Sequence, residues 1–150
     1  MTRTLTPLLA ALLLATAPMT HAAPLAEAAA PAAAMEEKVV YHVNDASIAR
    51  VALNNVNNHL NASPGVKIVV VTHGKGIDFL LNDAKDDKGA FEPQVAGLKE
   101  RGVDFRVCRN TLNSRKLNDN DVIMEAKVVP SGVAEIGMLQ AKEGYVYLKP

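Results

Sequence analysis

The chain has 150 residues, 49% of them hydrophobic, which suits one globular domain with its own core and leaves little room for a second. Sixteen basic residues balance sixteen acidic ones without a block of either sign, so neither the electrostatic footprint of a nucleic-acid binder nor a polybasic membrane patch is present. Tryptophan is absent and aromatics make up 4%, which leaves few parts for platforms that stack bases or sugars.

Residues 1–22 read as a secretory signal peptide. Arg3 supplies a weak positive start, "LTPLLAALLLATAP" is an apolar stretch too short for a stable membrane span, and "MTHAA" is a small-residue cleavage region. Thr20 and Ala22 fit the −3 and −1 positions, which predicts cleavage after Ala22 or Ala23. No cysteine directly follows the apolar stretch and there is no twin arginine. The expected route is therefore general export to the periplasm, with no membrane attachment after cleavage. Residues 23–37, "APLAEAAAPAAAMEE", are Ala/Pro-rich and lack a polar helical face, which predicts a disordered spacer. The domain proper is expected from Lys38 to Pro150.

Strand and helix signals then alternate. "KVVYHV" (Lys38–Val43) is a short β-branched run. It is followed by a helix with Ile48, Ala52, Val56 and Leu60 at helical spacing, capped by Asn44, Asp45 or Ser47, with His59 on an Asn-rich face expected in solvent. "NASPG" breaks the chain before "VKIVVVTH" (Val66–His73), a nearly continuous apolar run of the kind buried on both faces of a sheet. "GKGIDFLLNDAKDDKG" reads as a loop with a short helix at Ile77–Leu81, and "AFEPQVAGLKERG" as a helix closed by Gly102 in the left-handed region. "VDFRVC" is a strand, "NTLNSRKLNDNDVIME" a polar helical connection and "AKVVP" a fourth strand. "SGVAEIGMLQAKEG" is a helix between Ser131 and Gly144 as caps, and "YVYLKP" is the last strand. Strands joined by helical crossovers run parallel, so the expected fold is a three-layer α/β/α sandwich on a five-stranded parallel sheet.

Ligands bind such sheets outside the carboxyl ends of the strands. Those ends read "HVND", "THGKG", "VCRNT" and "VPSG", which brings His42, Asn44, Asp45, His73, Cys108, Asn110 and Ser131 toward one edge. Cys108 is the only cysteine, so no internal disulfide can form, and a lone exposed thiol in an oxidising compartment must be used or buried. A helix capped by Asn110 or Thr111 is expected to follow it, and free backbone N–H groups with Arg109 beside them would favour a thiolate. Each piece also has a plain structural explanation. Free cysteine is a common core filler. His73–Gly74 suits a strand end and turn, His42 a hydrogen-bonded sheet position, and Asn44 and Asp45 suit caps. "GKG" at Gly74–Gly76 lacks the flanking residues of a P-loop and the third glycine of a dinucleotide fingerprint, so no cofactor is implied. There is no Cys-x-x-Cys and no nucleophile elbow, and His42, His73 and Cys108 lack the local spacing of a zinc motif, so no metal site is assigned.

With "VVVTHGKGIDFLL", the cysteine followed by "NTL", and the ending "VVPSGVAEIGMLQAKEGYVYLKP", the chain resembles the DsrE/DsrF-like family over Lys38–Pro150. The resemblance implies a homo-oligomer, trimer or hexamer, with a cysteine at its ligand-facing edge. In the sulfur-relay members that cysteine carries sulfur as a persulfide, and Cys108 holds the matching position. The export signal departs from the cytoplasmic sulfur-relay members, so the fold carries over more securely than the reaction. The expected function is a periplasmic sulfur carrier or thiol-binding protein with Cys108 as nucleophile and His73 as its proton partner. Gly74, Asn44, Asp45, Arg109, Asn110, Thr111 and Ser131 would support them. Its partner would be a sulfur donor or acceptor protein, or a small thiol. The alternative is a non-enzymatic oligomeric module that binds a small ligand in the same cleft, with Cys108 merely packed.

Overall fold

The computed structural model describes residues 36–150, and the expected signal peptide and most of the expected spacer lie outside the described residues. The described chain begins with β1 (Lys38–Val43). Val39, Tyr41 and Val43 face one side of the sheet and Val40 the other, the period of two that a pleated strand imposes. A short 3-10 turn (Ala46–Ile48) leads into α1 (Ala49–Ala62), which lays Ala52, Leu53, Val56 and Leu60 on the sheet. β2 (Lys67–Thr72) is buried at every position after Lys67, as its unbroken apolar run predicts. After it come a 3-10 helix (Gly74–Leu80) and a hairpin of two-residue strands, β3 (Lys85–Asp86) and β4 (Gly89–Ala90). The rest of the chain is α2 (Glu92–Glu100), β5 (Asp104–Cys108), α3 (Arg109–Ser114), β6 (Ala126–Val129), α4 (Gly132–Glu143) and β7 (Val146–Leu148).

The sheet order is β6-β5-β2-β1-β7, with every neighbouring pair parallel. The protein is thus an α/β fold on a five-stranded parallel sheet, in three layers, as the alternating pattern predicts. The larger core lies on the side of α1 and α2 and includes Phe79, Phe91 and Phe105. The opposite side is smaller: Val40, Val69 and Val71 meet Ile136 and Leu139 of α4. Strand alternation puts His42, Arg106 and Cys108 on this α4 side, because their neighbours Val43, Phe105 and Val107 belong to the larger core.

Several expectations are corrected in detail. Of the three candidate caps, Asp45 closes the 3-10 turn, its carboxylate accepting from the Ser47 N–H at 2.9 Å, while Ile48, at the N-cap of α1 itself, provides no side-chain cap. His59 is not free in solvent. Its Nδ1 lies 3.0 Å from the Tyr41 hydroxyl and its Nε2 2.7 Å from a Glu37 carboxylate oxygen, which leaves the side chain 18% exposed. Glu37, the expected end of the spacer, is bound to the sheet, since its carbonyl accepts from the Lys67 N–H at 2.8 Å. The segment after Cys108 is helical only to Ser114. Lys116 then takes φ of 58°, and Asn118 opens a new capped 3-10 turn at Asp119–Asp121. The β3–β4 hairpin is held by Arg50 of α1, whose guanidinium grips both oxygens of Asp86, donates to the carbonyls of Gly89 and Ala90, and stacks 4.1 Å over the Phe91 ring.

Candidate functional site

Cys108 is the last residue of β5 and itself the N-cap of α3. The expectation that Asn110 or Thr111 would cap that helix is therefore corrected: the thiol stands at the turn between strand and helix. It is 5% exposed, yet it belongs to neither apolar cluster. Burial pushes the thiol pKa up, but hydrogen bonds from the backbone N–H groups of Gly132 and Thr111, the Thr111 hydroxyl and the Asn110 N–H outweigh it and set the thiol below its ordinary value. Two chain segments therefore aim donors at one sulfur: the start of α3, and the first residue of α4.

The Gly132 and Thr111 donors are held in place. Ser131 caps α4, its hydroxyl accepting from the Ala134 N–H at 3.3 Å, which fixes the neighbouring Gly132 N–H. Gly132 is pinched between strand ends. A Cβ there would lie 3.1 Å from the Thr72 carbonyl oxygen, 3.2 Å from the Cys108 Cβ and 3.3 Å from the His73 Cβ. Thr111 Oγ1 accepts from the Gly74 N–H at 3.0 Å, so the hydroxyl proton is free to point to the sulfur. Gly74 takes φ of 57°, the left-handed value that brings the turn after β2 against α3.

Beside the sulfur runs a row of rings on the α4 side of the sheet. Thr72 pairs in register with Val107, so His73 and Cys108 follow one step on as neighbours at adjacent strand ends. His73 Nε2 lies 2.6 Å from His42 Nε2, and His42 Nδ1 lies 2.7 Å from the Tyr147 hydroxyl. Burial and the nearby Lys149 charge lower both histidines below their ordinary pKa, and His73 adds to the effect on His42. On the other flank an open pocket of about 650 Å³ is lined by Gly74, Lys75, Asp78, Thr111, Ser114 and Arg115. Arg115 is paired with Asp78, and Thr111 forms the shared wall between pocket and sulfur.

The family model of DsrE/DsrF-like proteins matches residues 32–150. The chain belongs to the DsrE/DsrF-like family. Among solved structures, this DsrE/DsrF-like chain is similar to a protein of unknown function from Methanobacterium thermoautotrophicum, at 30% identity and a TM-score of 0.69, with 76% of this chain and 99% of that one covered. It also shares its fold with the ychN protein from E. coli, at 12% identity and a TM-score of 0.63 over 76% and 99% of the two chains. No curated protein matches it.

Not every expected site residue of this family member meets the sulfur. Cys108, His73, Gly74, Asn110, Thr111 and Ser131 converge as described. Asp45 is an exposed cap. Asn44 lies at the end of β1, where its carbonyl oxygen would be 3.6 Å from a Cβ on Gly74, a packing contact with the turn. Arg109 turns away from the role expected of it: its guanidinium forms a bidentate pair with Asp119, and it is not among the groups that lower the Cys108 pKa. The cation foreseen beside the thiol is thus replaced by neutral N–H and O–H donors. Gly132 and Tyr147 were not foreseen, and His42, placed at this edge, was read as a hydrogen-bonded sheet residue. The one sequence signal for Gly132 is its place directly after the cap Ser131. Tyr147 gives none, because its neighbour in the sheet depends on strand order. Among the described residues no three His, Cys, Asp or Glu side chains converge as metal ligands.

Proposed function

We propose that this DsrE/DsrF-like protein is an exported, periplasmic sulfur carrier in which Cys108 is the sulfur-bearing nucleophile. One observation carries the reading: a buried sulfur that lies outside both apolar clusters, at the turn between β5 and α3 and against Gly132, where the N–H groups of Gly132, Thr111 and Asn110 hold its pKa down. A thiol that only filled space would have no use for donors that favour its anion. The Cys108 thiolate attacks the outer sulfur of a donor persulfide, R–S–SH. The donor S–S bond breaks, Cys108–S–SH forms, and R–S⁻ departs; an acceptor thiolate repeats the exchange in the opposite sense, with no net oxidation. The pocket that shares Thr111 with the sulfur site is the surface we assign to the donor or acceptor.

The near-complete burial of Cys108 favours a second reading, a small-ligand-binding module with a packed cysteine. Alkylation separates the two. Iodoacetamide is expected to label Cys108 in the folded protein, with a pH midpoint below the ordinary thiol value of about 8.5. Labelling only after denaturation would retire the carrier and leave the binding module.

Assembly and export complete the proposal. Val146 and Leu148 on the edge strand β7 are 61% and 38% exposed and Met124 is 90% exposed, apolar surface that a homo-oligomer, trimer or hexamer, would cover. Light scattering is expected to give several times the mass of one chain, and sequencing of exported material to begin at Ala23 or Pro24. A monomer that keeps Met1 contradicts both.

A further inference from the structure

The row Tyr147–His42–His73 has a property that a merely structural set of rings does not need. Two imidazoles meet nitrogen to nitrogen, His42 Nε2 to His73 Nε2 at 2.6 Å, so one of them must hold the proton and the other the lone pair. The hydroxyl of Tyr147, 2.7 Å from His42 Nδ1, is able to give or to take. When Tyr147 donates to His42 Nδ1, His42 donates from Nε2 to His73 Nε2, and the neutral His73 must then carry its own proton on Nδ1. Among the described residues His73 Nδ1 has no hydrogen-bond partner, and its ring stems from the strand end next to Cys108. At the far end, Tyr147, on the face of β7 opposite Val146 and Leu148, is 38% exposed, whereas Cys108 is 5% exposed. The row therefore runs from open surface to an enclosed sulfur.

We propose that Tyr147 and His42 are positioning residues that hold His73 as a proton donor at Nδ1, so that His73 protonates the thiolate leaving group when Cys108 attacks a sulfur–sulfur bond. The proposal rests on Cys108 acting as a nucleophile. Cys108 starts as the thiolate, so the balanced step for a disulfide is Cys108–S⁻ + R–S–S–R + H⁺ → Cys108–S–S–R + R–SH. The Cys108–S bond forms as the R–S–S–R bond breaks. The proton passes from His73 Nδ1 to the leaving sulfur as His42 Nε2 gives its proton to His73 Nε2, Tyr147 gives its own to His42 Nδ1 and solvent reprotonates Tyr147; both imidazoles end in the opposite tautomer, which must reset before a second turnover. The demand for such a proton depends on the leaving group. An alkyl thiolate is basic and leaves slowly unless protonated, while an aromatic thiolate of low pKa leaves unaided.

Two uncharged probes test this: 2-hydroxyethyl disulfide, which releases an alkyl thiolate, and 4,4′-dithiodipyridine, whose leaving group needs no acid. In Tyr147→Phe and His42→Gln the rate with 2-hydroxyethyl disulfide is expected to fall by about tenfold or more, part of what general acid catalysis supplies. The rate with 4,4′-dithiodipyridine is expected to stay within about twofold, which also reports an intact fold around Cys108. Equal slowing with both probes, or no slowing with either, in a wild type that reacts with both, would overturn the proton donor and leave the nucleophile standing. A folded wild type that reacts with neither probe would overturn both.

Discussion

Cys108→Ser is expected to abolish sulfur uptake and disulfide exchange while leaving the circular-dichroism spectrum unchanged. Serine nearly matches cysteine in shape and keeps hydrogen-bonding capacity toward Gly132, Thr111 and Asn110, the groups that hold the sulfur. What it loses is the nucleophile, since the thiolate is the reactive form and a serine hydroxyl stays protonated. Stability adds a signature with a definite sign. The folded-state pKa of Cys108 lies below the unfolded value, so the thiolate contributes stability that is fully present above the unfolded thiol pKa and is lost as pH falls through the folded one. Chemical denaturation should therefore show the stability difference between wild type and Cys108→Ser growing as pH rises toward the ordinary thiol value of about 8.5. A difference that is flat with pH would mean that the donors do not favour the anion.

Gly76→Ala is expected to be among the most damaging single changes in the domain. Gly76 lies in the 3-10 helix after β2, and a Cβ there would sit 2.0 Å from the Val43 carbonyl oxygen, 2.6 Å from its carbon and 2.7 Å from the Asn44 Cα. All three atoms are backbone, so no side chain can rotate away to make room. Either β1 shifts at its carboxyl end or the turn carrying His73 and Gly74 lifts off. We expect a loss of at least about 3 kcal/mol in urea denaturation, at the high end for overpacking because the obstacle is rigid. Since His42 precedes Val43 and the Gly74 N–H orients Thr111, thiol reactivity should fall with it in any folded fraction. A stable Gly76→Ala protein with unchanged melting would contradict this close packing.

Much of this architecture was legible in the residues because parallel strands buried on both faces leave a dense apolar record. "KIVVVT" shows it, "VDFRVC" shows alternation with a buried face through Phe105 and Val107, and the caps Ser131 and Gly144 work as their chemistry predicts. The β3–β4 hairpin was hidden because its strands are two residues long and polar, and it depends on Arg50, far away in sequence. His59 looked exposed because helical spacing describes one helix face and not the Glu37 segment that folds over it. The site was half legible. Parallel topology brings Cys108 and His73 to one edge, but the strand order puts β7 next to β1, and that neighbourhood alone joins Tyr147 to His42. Arg109 was misread for a related reason: adjacency in sequence says nothing about where a guanidinium finds its carboxylate, which is Asp119.

The central claim is that Cys108 carries sulfur in the folded protein, and an intact-mass measurement after brief exposure to inorganic polysulfide tests it most directly. The account predicts that native protein gains one sulfur atom, located on Cys108, that a reductant removes it, and that Cys108→Ser gains none. Native protein that stays unmodified while denatured protein takes up sulfur readily would contradict it.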